Sequence, residues 1–146
     1  IFILSLMIID ESDNAEYFLY KFNVSNQAKK RIKFLNKIFS KPLEKSTFSE
    51  KNLWKILYEN NNDYLDEMIN FYLFKSRKID NKLINLKKFF KSQNKPEFPV
   101  KAKQLIENYN LKEGKELGQK LKLIENIWIN NNFKISDKEI DKVIKN

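Results

Sequence analysis

Cysteine and histidine are both absent from the 146 residues. Zinc sites of the Cys/His type are therefore excluded, as are thiol or imidazole nucleophile–base pairs. No disulfide framework can form, which suits a cytoplasmic setting, and that is the expected location. Only two glycines and three prolines occur, too few for a fold built on tight hairpins. Gly114 and Gly118 stand four residues apart, so no glycine-rich phosphate loop is present, and no Gly-x-Ser-x-Gly elbow exists. Arginine is confined to Arg31 and Arg77, whereas Lys, Asn, Ile, Phe and Tyr abound, a balance that coding bias in an AT-rich genome also produces. The one apolar run, IFILSLMII, has no basic residue ahead of it and is too short to span a bilayer. It is expected to be a core helix, with no membrane partner. The first residue is Ile rather than Met, and the expectation is a piece of a longer protein with a further domain N-terminal to it.

What is present points to a globular helical protein. Hydrophobic residues make up 42% and aromatics 14%, well above the range of disordered chains. A chain of this length buries about 70% of its unfolded surface, enough for a core. Apolar spacing reads as helix over Ile1 to Ile9, Ala15 to Phe22, Ser25 to Phe39, Ser49 to Glu59, Tyr64 to Lys78, Asn81 to Gln93, Lys101 to Tyr109 and Lys115 to Asn131, with a last helix from Ser136. Ser25 reads as an N-cap. Asp13 with Glu16, and Ser136 with Glu139, read as capping boxes. The predicted fold is all-α: an irregular multi-helix array of eight to nine helices, with a C-terminal helix–turn–helix subdomain. The stretch from Lys95 to Val100 holds two prolines and divides a helical body, residues 1–95, from a helical tail, residues 96–146.

Positive charge is concentrated. Residues 29–45 carry +6, residues 46–74 carry −3, and residues 75–103 carry +8 of the overall +9. The first basic segment includes Lys29, Lys30, Lys33, Lys37 and Lys41. The second includes Lys75, Lys87, Lys88, Lys91, Lys95, Lys101 and Lys103. If their helices are neighbours they form one face that attracts a polyphosphate backbone through counterion release. The alternative is lysines on solvated faces in a lysine-rich proteome. Phe89, Phe90, Tyr109 and Trp128 could stack on unpaired bases, or equally fill a core at helical spacing.

Candidate chemistry is sparse. Asp63, Asp66 and Glu67 share a helical face at i, i+3, i+4, a spacing that can hold a divalent cation but that also suits the positive end of a helix. Gly114 is expected to supply a positive φ before a helix whose free N–H groups, flanked by Lys112 and Lys115, form a cradle for a backbone phosphate. The competing reading is a plain connection in which Gly118 lets helices pack closely. No residue of the chain is assigned a catalytic role and no metal site is predicted.

The most distinctive string is FPVKAKQLIENYNLKEGKELGQKLKLIENIWINNNF, Phe98 to Phe133. It resembles the C-terminal part of bacterial CCA-adding tRNA nucleotidyltransferases and poly(A) polymerases, most nearly the alphaproteobacterial type. Phe98-Pro99, Leu105, Gly114, Leu117, Gly118, Leu121, Ile124, Glu125, Trp128, Ile129 and Phe133 fall on the family pattern. Ala102 and Gln104 replace its Gly and Asp, Glu113 and Lys115 replace its flanking prolines, and Asn110 stands in for a family Gly. Upstream, residues from about 15 onward fit the family body loosely.

The resemblance implies the body and tail of a modular enzyme. Such an enzyme has a catalytic head that uses Mg²⁺ with ATP and CTP, and neither the head's Gly-Ser nor its Asp-x-Asp motif occurs here. No cofactor is expected in this chain. Its implied partners are the acceptor arm and elbow of tRNA and the head domain. Lys101, Lys103, Lys112, Gly114, Lys115, Lys29, Lys30, Lys33, Lys87, Lys88 and Lys91 are the expected RNA contacts. A structural or protein-interaction helical domain is the alternative. A free-standing DNA-binding helix–turn–helix would have to read bases with the helix Lys115 to Asn131, which carries Glu116 and Glu125 and little Arg for guanine edges.

Overall fold

Side-chain caps start four consecutive helices. Ser25 Oγ accepts from Ala28 N–H at 3.2 Å, Ser49 Oγ from Asn52 N–H at 3.3 Å, Asn61 Oδ1 from Tyr64 N–H at 3.2 Å and Asp80 Oδ1 from Leu83 N–H at 3.0 Å. Each satisfies an amide that the helix itself leaves without a partner. The computed structural model describes residues 1–145. Among them nine helices and no strand occur: α1 Phe2–Ile8, α2 Asn14–Lys21, α3 Asn26–Phe39, α4 Glu50–Glu59, α5 Asn62–Ser76, α6 Asn81–Lys91, α7 Ala102–Tyr109, α8 Lys115–Asn130 and α9 Asp137–Lys145. They form two units, Ile1–Lys95 and Pro96–Asn146.

Some boundaries differ from the sequence reading. Asp13 makes no capping hydrogen bond, so the Asp13–Glu16 box is not formed. Asp10 organises that turn instead, accepting from Ser12 N–H and from Asn14 Nδ2 at 2.9 Å each. The fifth helix starts at Asn62 because Asn61 caps it, and it stops at Ser76 because Arg77 adopts a left-handed conformation. The sixth ends at Lys91, not Gln93.

In the first unit α5 is central. Leu65, Met68, Ile69 and Phe71 are buried on it, against Ile32 and Leu35 of α3, Leu53 and Leu57 of α4, and Leu83 and Phe90 of α6. Burial nearly all round is what weakens the apolar stripe of a central helix. Aromatic pairs fill the remaining space: Phe39 lies 4.5 Å from Phe71, and Trp54 5.0 Å from Phe90, between ring centroids. In α1 Phe2, Leu4, Leu6 and Ile8 pack on this core, and the fully buried residue is Ser5, whose hydroxyl donates to Ile1 C=O at 3.0 Å, while Ile3 and Met7 are exposed.

In the second unit Leu105, Leu117 and Ile124 form the core, with Ile140, Val143 and Ile144 of α9 against them. Asn110 ends α7 with φ 53°, a conformation that Asn tolerates better than other side-chain-bearing residues. Gly114, with φ 149° and ψ −165°, precedes α8 in a region open essentially to glycine alone. Gly118 does not serve close packing: it is exposed, and a Cβ placed there meets nothing within 4 Å. Of the Ser136–Glu139 box one half is present: Ser136 N–H donates to Glu139 Oε2 at 2.9 Å, and the Ser136 hydroxyl donates to the same oxygen at 2.7 Å.

Candidate nucleic-acid interface

Helix α3 repeats lysine once per turn. Lys29, Lys33 and Lys37 stand at i, i+4, i+8, and Lys41 follows just beyond its end. Helical rise places successive members about 6 Å apart along one face. That face forms the wall of a groove of about 680 Å³ whose other side is α2, presenting Glu16, Leu19 and Tyr20. Among the described residues none of these four lysines pairs with a carboxylate. Lys33, Lys37 and Lys41 are exposed and Lys29 is half-buried. Asn36 also lines the groove, and its Oδ1 is enclosed without a hydrogen-bond partner.

The second basic segment is placed differently. Lys75 Nζ donates to Ile9 C=O at 3.0 Å, capping the end of α1. Lys87 lies 3.2 Å from Asp66 and donates to Asn70 Oδ1 at 2.7 Å. Lys95 sits 5.0 Å over the ring of Tyr58. Lys88 and Lys91 remain exposed, and Lys91 lines a cavity of about 410 Å³ with Arg31, Lys87, Asp63, Asp66 and Glu67. Three bases there face three acids, so the carboxylates of α5 stand between the basic helices α3 and α6. The two segments do not merge into one uninterrupted positive face at this point.

The same cavity shows what the acids of α5 do. Glu67 is buried and accepts from Arg31 Nε at 2.9 Å, and Asp66 holds Lys87. They turn to different cations, and no group of three His, Cys, Asp or Glu side chains that could hold a metal ion occurs among the described residues.

In the second unit Lys101, Lys103, Lys112, Gly114 and Lys115 are all exposed. Lys101 N–H donates to Gln104 Oε1 at 2.9 Å at the start of α7, and Lys103 reaches Glu107 at 3.7 Å, an exposed pair worth little in water. Lys112 and Lys115 flank Gly114 at the start of α8.

The aromatics named from sequence are engaged in packing. Trp128 is buried and touches Phe98 and Phe133, with ring centroids 5.4 and 4.8 Å away. Phe90 is buried and Phe89 touches Trp54 and Phe90. Tyr109 donates its hydroxyl to Asp141, which raises its pKa above the usual phenol value. The residue that sequence reasoning missed is Tyr20, 88% exposed on the groove's α2 side. Lys37 and Lys41 were visible as members of the basic segment, and their four-residue spacing was the available signal. No pattern marked Tyr20, because its exposure follows from how α2 packs.

No helix among the described residues is long and apolar enough to cross a membrane. No family model, no curated protein and no solved structure matches this chain.

Proposed function

We propose that this chain is an RNA-binding helical module, the body and tail of a tRNA nucleotidyltransferase of the CCA-adding or poly(A) polymerase kind. The observation that carries the RNA-binding part is the run Lys29, Lys33, Lys37, Lys41 along one groove wall without a carboxylate partner, while Lys75, Lys87 and Lys95 of the other basic segment are engaged inside their own unit. Unneutralised charge at a regular helical pitch suits a phosphate backbone. The nucleotidyltransferase part rests on the resemblance of Phe98 to Phe133. In that reading AMP and CMP transfer with Mg²⁺ belongs to a head domain, and this chain supplies grip on the acceptor arm and elbow of tRNA in the cytoplasm.

The test is binding of the chain to whole tRNA and to duplex DNA of equal length across a salt series. A preference for tRNA with a steep negative dependence of log K on log salt supports the reading. Equal, weak binding to both leaves only generic positive charge. A second reading, a protein-interaction domain, is favoured by exposed apolar side chains: Ile3 at 73%, Met7 at 75%, Phe74 at 67% and Ile79 at 85%. Association with a protein partner but not with RNA would select it.

A further inference from the structure

The two walls of the α2–α3 groove differ in kind. The α3 wall presents Lys29, Lys33 and Lys37; the α2 wall presents Leu19 and the ring of Tyr20, with Glu16 as the only acid. A duplex offers phosphates on its outside and hides the faces of its bases. An unpaired strand offers phosphates along one edge and base faces along the other. The groove complements the second.

We propose that this groove takes an unpaired segment of a ribonucleotide chain, with phosphates on Lys29, Lys33 and Lys37 and a base stacked on Tyr20. This rests on the reading of the chain as RNA-binding and specifies which form of RNA this surface takes. Three observations converge on it. The ring of Tyr20 is 88% exposed and makes no ring contact or hydrogen bond among the described residues, so a π-face is free. Stacking on such a face tolerates any base and requires that the base be unpaired. Glu16 repels phosphate from the α2 side and so orients the strand with its backbone toward α3. A volume of about 680 Å³ has the dimensions of a nucleotide-sized site.

The experiment uses the full chain and a fluorescein-labelled single-stranded oligouridylate, with a blunt RNA duplex of the same length and the matching single-stranded DNA as comparators. Anisotropy titrations are run on the wild type, Tyr20→Ala, Tyr20→Phe and the double variant Lys33→Gln/Lys37→Gln, each checked by circular dichroism. The expected result is tighter binding of the single-stranded RNA than of the duplex. Tyr20→Ala weakens the single-strand complex roughly 5- to 100-fold, Tyr20→Phe restores it, and duplex binding is unchanged by either. The lysine variant weakens both. If Tyr20→Ala leaves single-strand affinity unchanged while the lysine variant still weakens binding, the stacking site is overturned and RNA binding by the lysines survives. Absence of binding to every probe would overturn both.

Discussion

Phe133 closes on Trp128 twice. Its backbone N–H donates to Trp128 C=O at 2.8 Å, and its ring meets the indole edge-on at a centroid distance of 4.8 Å. The hydrogen bond is the six-to-one closure of a Schellman cap, and the ring contact is the hydrophobic clasp that accompanies it. Phe98 also packs on the indole, with ring centroids 5.4 Å apart. Phe98, Trp128 and Phe133 are thus aromatic neighbours at the C-terminal end of α8. In this chain their chemistry is packing.

Truncating that clasp should cost stability. Phe133→Ala removes a half-buried ring from a packed pair and is expected to destabilise the second unit by about 2–3 kcal/mol. Asn132, at φ 55°, holds the left-handed position of the same cap, and Asn132→Gly should be neutral or stabilising by up to about 1 kcal/mol. Urea denaturation of both variants reads the two signs directly.

The two glycines should respond oppositely to the same substitution. Gly118→Ala on the exposed face of α8 adds a methyl that touches nothing and should stabilise by about 1 kcal/mol. Gly114→Ala forces a side chain into φ 149° and should cost about 1–3 kcal/mol. Equal melting temperatures for the two variants would contradict both assignments.

The Arg31–Glu67 pair links α3 to α5 at 2.9 Å, with the Glu67 side chain 8% exposed. Glu67→Ala strands a partly buried guanidinium and is expected to cost about 3 kcal/mol. The double change Arg31→Met/Glu67→Leu, which removes both charges and keeps volume, should cost clearly less. A thermodynamic cycle from chemical denaturation measures the difference.

Acid should loosen the start of α9. Ser136 N–H and hydroxyl donate to Glu139, and these hydrogen bonds hold its carboxyl below the ordinary glutamate pKa. A carboxylate lowered in the folded state adds stability that is complete above the unfolded value of about 4.3 and disappears as pH falls through the lower folded value. Wild type should therefore lose more stability below about pH 4.5 than Glu139→Gln does. Melting curves between pH 3 and pH 7 test the sign.

Neutralising the groove should act on binding alone. Lys33 and Lys37 are exposed and unpaired, so Lys33→Gln and Lys37→Gln should leave the melting temperature within error. Each should reduce the salt slope of RNA binding by about one contact. Lys87→Gln is the contrast: it breaks contacts to Asp66 and Asn70 and should alter stability more than affinity.

What the sequence by itself determined is local. Ser25, Ser49 and the Ser136–Glu139 hydrogen bonds mark helix starts because capping joins residues only three apart. Apolar spacing marks Ile32, Leu35, Leu53 and Leu57 as inward because helical pitch sets which residues share a face. Gly114 before α8 marks a backbone open to little else.

The tertiary structure decided which charges stay free. Lys33 and Lys87 are the same residue type on two basic helices, but α3 turns Lys29, Lys33 and Lys37 to a groove beside α2, whereas α6 sets Lys87 against Asp66 of α5. Glu67 is buried, against the ordinary tendency of a carboxylate, while Tyr20, of a type found in both settings, is exposed. Burial and pairing depend on which element packs against which face. That choice is made by contacts across tens of residues, here 36 between Arg31 and Glu67, a separation at which helical periodicity carries no information.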